Sequence, residues 1–208
     1  MRFPLTAAAL LLGSLSASLQ AQTQESPPAS SWGVGVGLGH EQRAYRDFDN
    51  PTRVLPLLTY ESRWISVLGP GVDLKLPEAG PLQLRLRARY AFEGYEAKDS
   101  PYLLGMAERK GGVWLGPALA WQLGASRLSG EWLLEAAGHS KGRQLRLQAE
   151  HSLRLGALEW VPRLAAVSLD RKQVDYYYGV RAAEQRLGRP AYAGRSTLNT
   201  ELGLRVNY

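Results

Sequence analysis

The fold class this sequence predicts is all-β: a transmembrane antiparallel up-and-down β-barrel. Three observations predict it. The first is the stretch Leu82 to Phe92, LQLRLRARYAF, with Leu82, Leu84, Leu86, Ala88, Tyr90 and Phe92 at even positions and Gln83, Arg85, Arg87, Arg89 and Ala91 at odd ones. Side chains alternate across a strand, so one face is apolar and the other presents three guanidinium groups. A helix would scatter those arginines around its circumference. The second is length, because a tilted strand crosses the hydrocarbon layer in about 9–11 residues and this run is long enough. The third is recurrence: the same alternation returns at Gln144 to Leu155 and at Leu198 to Tyr208. In hydrocarbon an open sheet edge leaves rows of unpaired N–H and C=O groups, so the sheet is expected to close.

The start of the chain is expected to stand apart from this domain. Met1-Arg2 supplies a positive n-region and Leu5 to Leu15 an apolar run of signal-peptide length, with cleavage expected after Ala21. Gln22 to Ser31 reads as a mobile polar lead. The barrel is then residues 32–208. No segment after Ala21 has 18 uncharged apolar residues, which argues against a membrane helix but not against barrel strands, whose hydropathy averages out. There is no cysteine, so disulfides, thiolate metal sites and lipoprotein anchors are unavailable. The formal charge of +6 becomes +5 without Arg2. Its arginines sit singly at alternate strand positions rather than in a patch, so nucleic acid is not an expected partner. Outer-membrane lipid is.

Taken in order, Trp32 to His40 sets Trp32, Val34, Val36 and Leu38 against glycines at every second residue, which leave room inside a barrel. No helix follows them, so they are not a phosphate cradle. Glu41 to Arg53 is a polar loop without calcium-ligand spacing. Val54 to Tyr60 and Ser62 to Leu68 form successive strands or one bent ribbon. Gly69-Pro70-Gly71 turns into the short strand Val72 to Leu76, and Pro77 to Pro81 turns again. After Leu82 to Phe92, residues Glu93 to Lys110 break the alternation, and Tyr102 to Arg109 is expected to form a helical turn or two. Strands resume at Gly112 to Trp121, with Trp114, Ala118 and Ala120 on one side, and at Arg127 to Ala137, where Leu128, Trp132 and Leu134 read as a break in strict alternation. Gln144 to Leu155, Leu158 to Leu169 and Leu198 to Tyr208 complete about ten strands, with Asp170 to Arg195 as the longest loop.

The lumen-facing candidates are Arg85, Arg87, Arg89, Arg146, Glu150, Glu201 and Arg205. Glu131, Glu150 and Glu201 are the expected partners of the arginines, filling a lumen that is narrow at this strand count. An unfilled lumen would instead make a narrow anion-favouring pore. No enzyme is expected. Adjacent His151 and Ser152 point to opposite faces of a strand, and His139-Ser140 lies in a turn without an acid to orient it. Three scattered histidines give no metal spacing, and no cofactor is expected.

The blocks Asp175-Tyr176-Tyr177-Tyr178-Gly179-Val180, Ala182-Ala183-Glu184 and Gly188-Arg189-Pro190-Ala191-Tyr192 resemble the signature of the MipA/OmpV family. Leu103 to Arg109, LLGMAER, is similar to its central segment. The resemblance implies an outer-membrane barrel, and its best-known member is a scaffold holding a lytic murein transglycosylase together with a murein synthase. Other members are linked to osmotic response or adhesion. Family members run on by about one further hairpin, so 10 to 12 strands are expected. Either this chain is shortened, with Tyr208 as the terminal aromatic, or the sequence is incomplete and a final hairpin follows. The tyrosine run reads as an interfacial girdle or as a partner-binding surface of Asp175, Tyr176, Tyr177, Tyr178, Arg181, Arg189 and Tyr192, with Glu184 in its polar rim.

Overall fold

The computed structural model describes residues 30–40, 45, 52–78 and 80–207, giving the backbone alone at 38–40, 52, 53 and 55. The expected signal peptide, residues 22–29 of the lead, most of the 41–51 loop and Tyr208 lie outside the described residues.

Alternating sequence produces one antiparallel sheet. Its strands are β1 (Ser30–His40), β2 (Thr52–Ser62), β3 (Ile65–Leu68), β4 (Gly71–Lys75), β5 (Leu82–Ala91), β6 (Gly112–Leu123), β7 (Ser126–Glu135), β8 (Arg143–His151), β9 (Leu153–Leu155), β10 (Leu158–Leu169) and β11 (Thr197–Asn207). They stand in chain order, with β9 continuing β8 alongside β10, so ten lie abreast. Gln144 to Leu155 is therefore two segments rather than one, broken at Ser152. The 52–68 region is a hairpin, β2 pairing with β3 through Glu61↔Ser66. Two-residue turns join β6 to β7 and β9 to β10. Each opens on a glycine with left-handed φ, Gly124 at 58° and Gly156 at 64°, which a side chain would strain.

Each strand divides its residues between two faces. Trp32, Val34, Leu86, Leu115, Trp121, Leu147, Leu202 and Leu204 are exposed, with Leu202 82% accessible. An apolar surface of this extent does not occur on a monomer in water. Around a barrel it meets lipid. The opposite face buries Trp114, Ala118, Ala120, Leu133, Val161, Ala165 and Val167 together with Asp73, Glu131, Glu135 and Gln144. In β7 the alternation is strict, contrary to the expected break. Leu128, Trp132 and Leu134 share the exposed face with Gly130, and Arg127, Ser129, Glu131, Leu133 and Glu135 share the other. Glycine at 130 disguised the period. Gly130 faces Leu147 across the strand pair.

Closure is not observed: among the described residues β1 pairs with β2 and β11 with β10, and each leaves its other edge unpaired. The all-β antiparallel sheet stands, with its seam open. The topology puts the residue-94–111, 136–142 and 170–196 connections at one end, and the turns at 63–64, 76–81, 124–125 and 156–157 at the other. Two connections differ from expectation. The turn of helix at 102–109 is absent, and a 3₁₀ turn at Ala97–Asp99 precedes it instead. Within the 170–195 loop lies a helix, α1 (Arg171–Tyr178).

Candidate functional site

Two constellations sit inside this frame, one among the strands and one at the long-loop end. On the polar face, β4 and β5 bring Asp73 opposite Arg87. Arg87 donates to Asp73 at 2.7 and 2.6 Å and to Glu131 of β7 at 2.5 Å, and Arg85 reaches Asp73 at 3.2 Å. Arg89 bonds Gln144 of β8 at 2.6 Å. Arg146 pairs with Glu201 at 2.7 Å across β10. Buried charges are tolerated only when paired, and two of these pairs, Arg87–Glu131 and Arg146–Glu201, join strands that are not neighbours. Glu131 and Glu201 pair with the arginines as the sequence reading anticipated, whereas Glu150 accepts from Gln148 at 2.9 Å and has no arginine ion pair among the described residues. Asp73 is the missed residue. Its signal was present in VDLKL, where Asp73 and Lys75 alternate against Val72, Leu74 and Leu76. A cavity of about 240 Å³ remains among Arg85, Arg87, Arg127, Arg146, Glu150 and Arg205.

At the long-loop end the chain folds into a cap. Asp170 accepts from the Gln173 amide at 2.9 Å and starts α1, as aspartate does at a helix N-cap. Tyr95, Leu103 and Met106 form an apolar cluster, with Tyr45 and Val180 packed against it. At its centre Arg109, buried, donates two bonds to buried Glu184 at 3.1 and 2.9 Å and one to the Tyr176 carbonyl at 2.6 Å. The amides of Ala107 and Arg181 donate to the same carboxylate at 3.0 and 2.9 Å. Burial alone would raise the Glu184 carboxyl; the Arg109 guanidinium and the two amides outweigh it and hold the group at about 2. Burial also pushes the Tyr177 phenol up.

The proposed partner-binding residues divide between structure and surface. Tyr177 is 3% exposed; its hydroxyl donates to the Lys110 carbonyl and its own carbonyl accepts from Tyr45. Tyr176 is half-buried, its oxygen accepting from the Lys110 amide at 2.9 Å. Arg189 clamps the carbonyls of Tyr102, Leu104 and Glu184. Asp175 accepts from the Gly194 amide at 2.7 Å. Tyr178, Arg181 and Tyr192 face solvent. Nothing in the LLGMAER or AAE composition identifies Arg109 and Glu184 as a pair 75 residues apart.

No group of three His, Asp or Glu suited to a metal occurs among the described residues. His139 bonds the Gly111 carbonyl, and Ser140 accepts from Gly142. Ser126 Oγ lies 2.8 Å from His151 Nδ1, a cross-strand pair to which no carboxylate is joined among the described residues.

An antiparallel sheet of bilayer-length strands, apolar on one face and charged on the other, defines an outer-membrane β-barrel protein. The chain matches the family described as MltA-interacting protein MipA over residues 33–208, and it belongs to that family. It is similar to YiaT, named as an outer membrane protein, in Escherichia coli strain K12 and in Escherichia coli O157:H7. Identity to each is 24% over 201 residues, covering 88% of this chain and 76% of the relative. No solved structure matches the chain.

Proposed function

We propose that the protein is a non-conducting outer-membrane scaffold that docks a lytic murein transglycosylase, and through it a murein synthase, at the inner face of the outer membrane. The observation that carries this reading is the charge layer Asp73–Arg87–Glu131, which ties β4, β5 and β7 together across the lumen, beneath an end already covered by the Arg109–Glu184 cap. Such a barrel resists deformation and obstructs flow. The family's description as MltA-interacting supports the transglycosylase. Short turns of outer-membrane barrels face the periplasm and long loops face outward. Murein lies in the periplasm, so the docking surface belongs to the turns at 63–64, 76–81, 124–125 and 156–157 rather than to residues 175–192. Residues 1–21 serve as the export signal and 22–29 as a lead into β1, which takes in Ser30 and Ser31.

Affinity capture of the tagged protein from detergent-solubilised envelopes, with mass spectrometry, tests the assignment. A murein transglycosylase should accompany both the intact chain and a variant with 175–192 shortened, and should be lost when the 76–81 turn is replaced. Capture without any murein enzyme would end the scaffold reading. A narrow anion pore is the second reading, favoured by the arginine-lined cavity of about 240 Å³. Planar-bilayer silence in the intact chain and in Arg87→Ala would remove it.

A further inference from the structure

A cavity lies in the cap, on the end opposite the turns. It measures about 660 Å³ and opens to solvent between α1 and the segment that follows it. Small-molecule sites span roughly 300–1,000 Å³ and combine apolar walls with a few placed polar groups. Two tyrosine rings supply the walls. Tyr176 is pinned by the hydrogen bond from the Lys110 amide and by edge-on packing against Tyr177, ring centroids 4.9 Å apart. Tyr192 is fixed through its backbone, which exchanges hydrogen bonds with Val180 at 2.8 and 3.1 Å, while its ring remains exposed. An exposed aromatic ring on a rigid backbone costs little entropy when a ligand stacks on it.

The polar groups are cationic in balance. Lys172 and Arg181 line the cavity, and neither has an ion pair among the described residues. Across 170–196 there are six Lys and Arg against three carboxylates. Two of those three are committed elsewhere, Asp170 to the α1 N-cap and Glu184 to Arg109. The third, Asp175, lines the cavity beside Lys172 and Arg181 and accepts from the Gly194 amide, which leaves the lining with one net positive charge. Ser140, whose oxygen accepts from Gly142, has a proton to donate at the cavity edge.

We propose that this cavity binds an anionic saccharide, one sugar ring lying against Tyr176 and Tyr192 and its phosphate or carboxylate held between Lys172 and Arg181. Flat amphipathic rings suit the C–H face of a pyranose whose hydroxyls point to a polar rim. Ammonium and guanidinium groups suit its charge. The site is on the end opposite the proposed docking surface and does not depend on the scaffold reading.

The test uses the full chain in phosphatidylcholine nanodiscs, with glucose 6-phosphate as probe and glucose and inorganic phosphate as its two halves, followed by calorimetry. Glucose 6-phosphate should bind at least tenfold more tightly than either half. The double variant Lys172→Gln, Arg181→Gln should lose that margin over glucose, and Tyr192→Ala should lose the margin over phosphate. Unchanged heat-modified migration in gels shows that these exposed substitutions leave the barrel folded. Equal affinity for the probe and phosphate, equal affinity for the probe and glucose, no binding to the intact chain, or indifference to the substitutions would each overturn the proposal. Nanodiscs that also contain rough lipopolysaccharide separate the sources. Loss of probe binding there indicates a membrane-borne saccharide, and retained binding a solute; the site stands in either case.

Discussion

Replacing Glu184 by glutamine should open the cap and leave the barrel intact. The carboxylate is 5% exposed and receives four hydrogen bonds, two from Arg109 and one each from the amides of Ala107 and Arg181. Its pKa is about 2 in the folded cap against 4.5 for an ordinary glutamate carboxyl. At 1.36 kcal/mol per pKa unit that difference amounts to about 3 kcal/mol of cap stability. The variant also strands the Arg109 guanidinium, and breaking a buried pair costs about 3–5 kcal/mol, so the two routes agree. Opening the cap should therefore become about a hundredfold easier. Hydrogen exchange of the chain in nanodiscs reads this locally, with amides in 95–110 and 176–192 accelerating by that factor and those of β8 unchanged. The sign of the pH dependence follows from the depressed carboxyl. The stabilisation is complete above about pH 4.5, declines as pH falls towards 2, and is gone below it. The glutamine variant should show no such decline. Cap exchange within threefold of the parent, or equal acceleration in cap and strands, would refute the reasoning.

Other perturbations test the strands. Asp73→Asn removes the anion shared by Arg85 and Arg87 and should lower stability by about 2 kcal/mol, seen as a lower urea midpoint in vesicles. Gly116→Ala should prevent folding, because the added Cβ would fall on the Trp132 carbonyl of the neighbouring strand; loss of heat-modified migration would show it. The unpaired edges of β1 and β11 run antiparallel and each has 11 residues, and unpaired backbone in hydrocarbon costs several kcal/mol per group. In lipid they should pair. Val34→Cys combined in turn with Leu202→Cys, Leu204→Cys or Val206→Cys should give one efficient disulfide, and the absence of any cross-link would count against closure.

What the sequence disclosed followed the two-residue period. Arg85, Arg87 and Arg89 share a face because strand geometry leaves them no alternative, and the same geometry put Glu131 within reach of Arg87 and Glu201 within reach of Arg146. Asp73 carried the period too, but over five residues, too few to weigh against the turns on either side. In β7 a single glycine hid an alternation that Leu128, Trp132 and Leu134 in fact obey. The cap was illegible for a different reason. Its pairs depend on loops that meet only after the strands between them have paired, and no periodicity encodes such a meeting. One local cue existed: Asp170 with Gln173 three residues on is a helix-start pattern, and it marks α1 inside what reads as loop.

The cap also changes what the tyrosine block means. A run of three tyrosines between charged residues invites a reading as contact surface, yet α1 turns successive rings to different sides. Tyr177 goes inward under Lys110, Tyr176 lies half-covered along the cavity, and Tyr178 stays outside, stacked on Tyr45 at 5.5 Å. The Tyr176 carbonyl meanwhile receives the buried Arg109. Most of the block is thus spent on folding the cap over the end of the barrel. A helix of this kind needs all three rings for three different neighbours, so the block records a packing requirement first. Recognition is left to the side chains that packing does not use: Lys172, Arg181 and the ring of Tyr192.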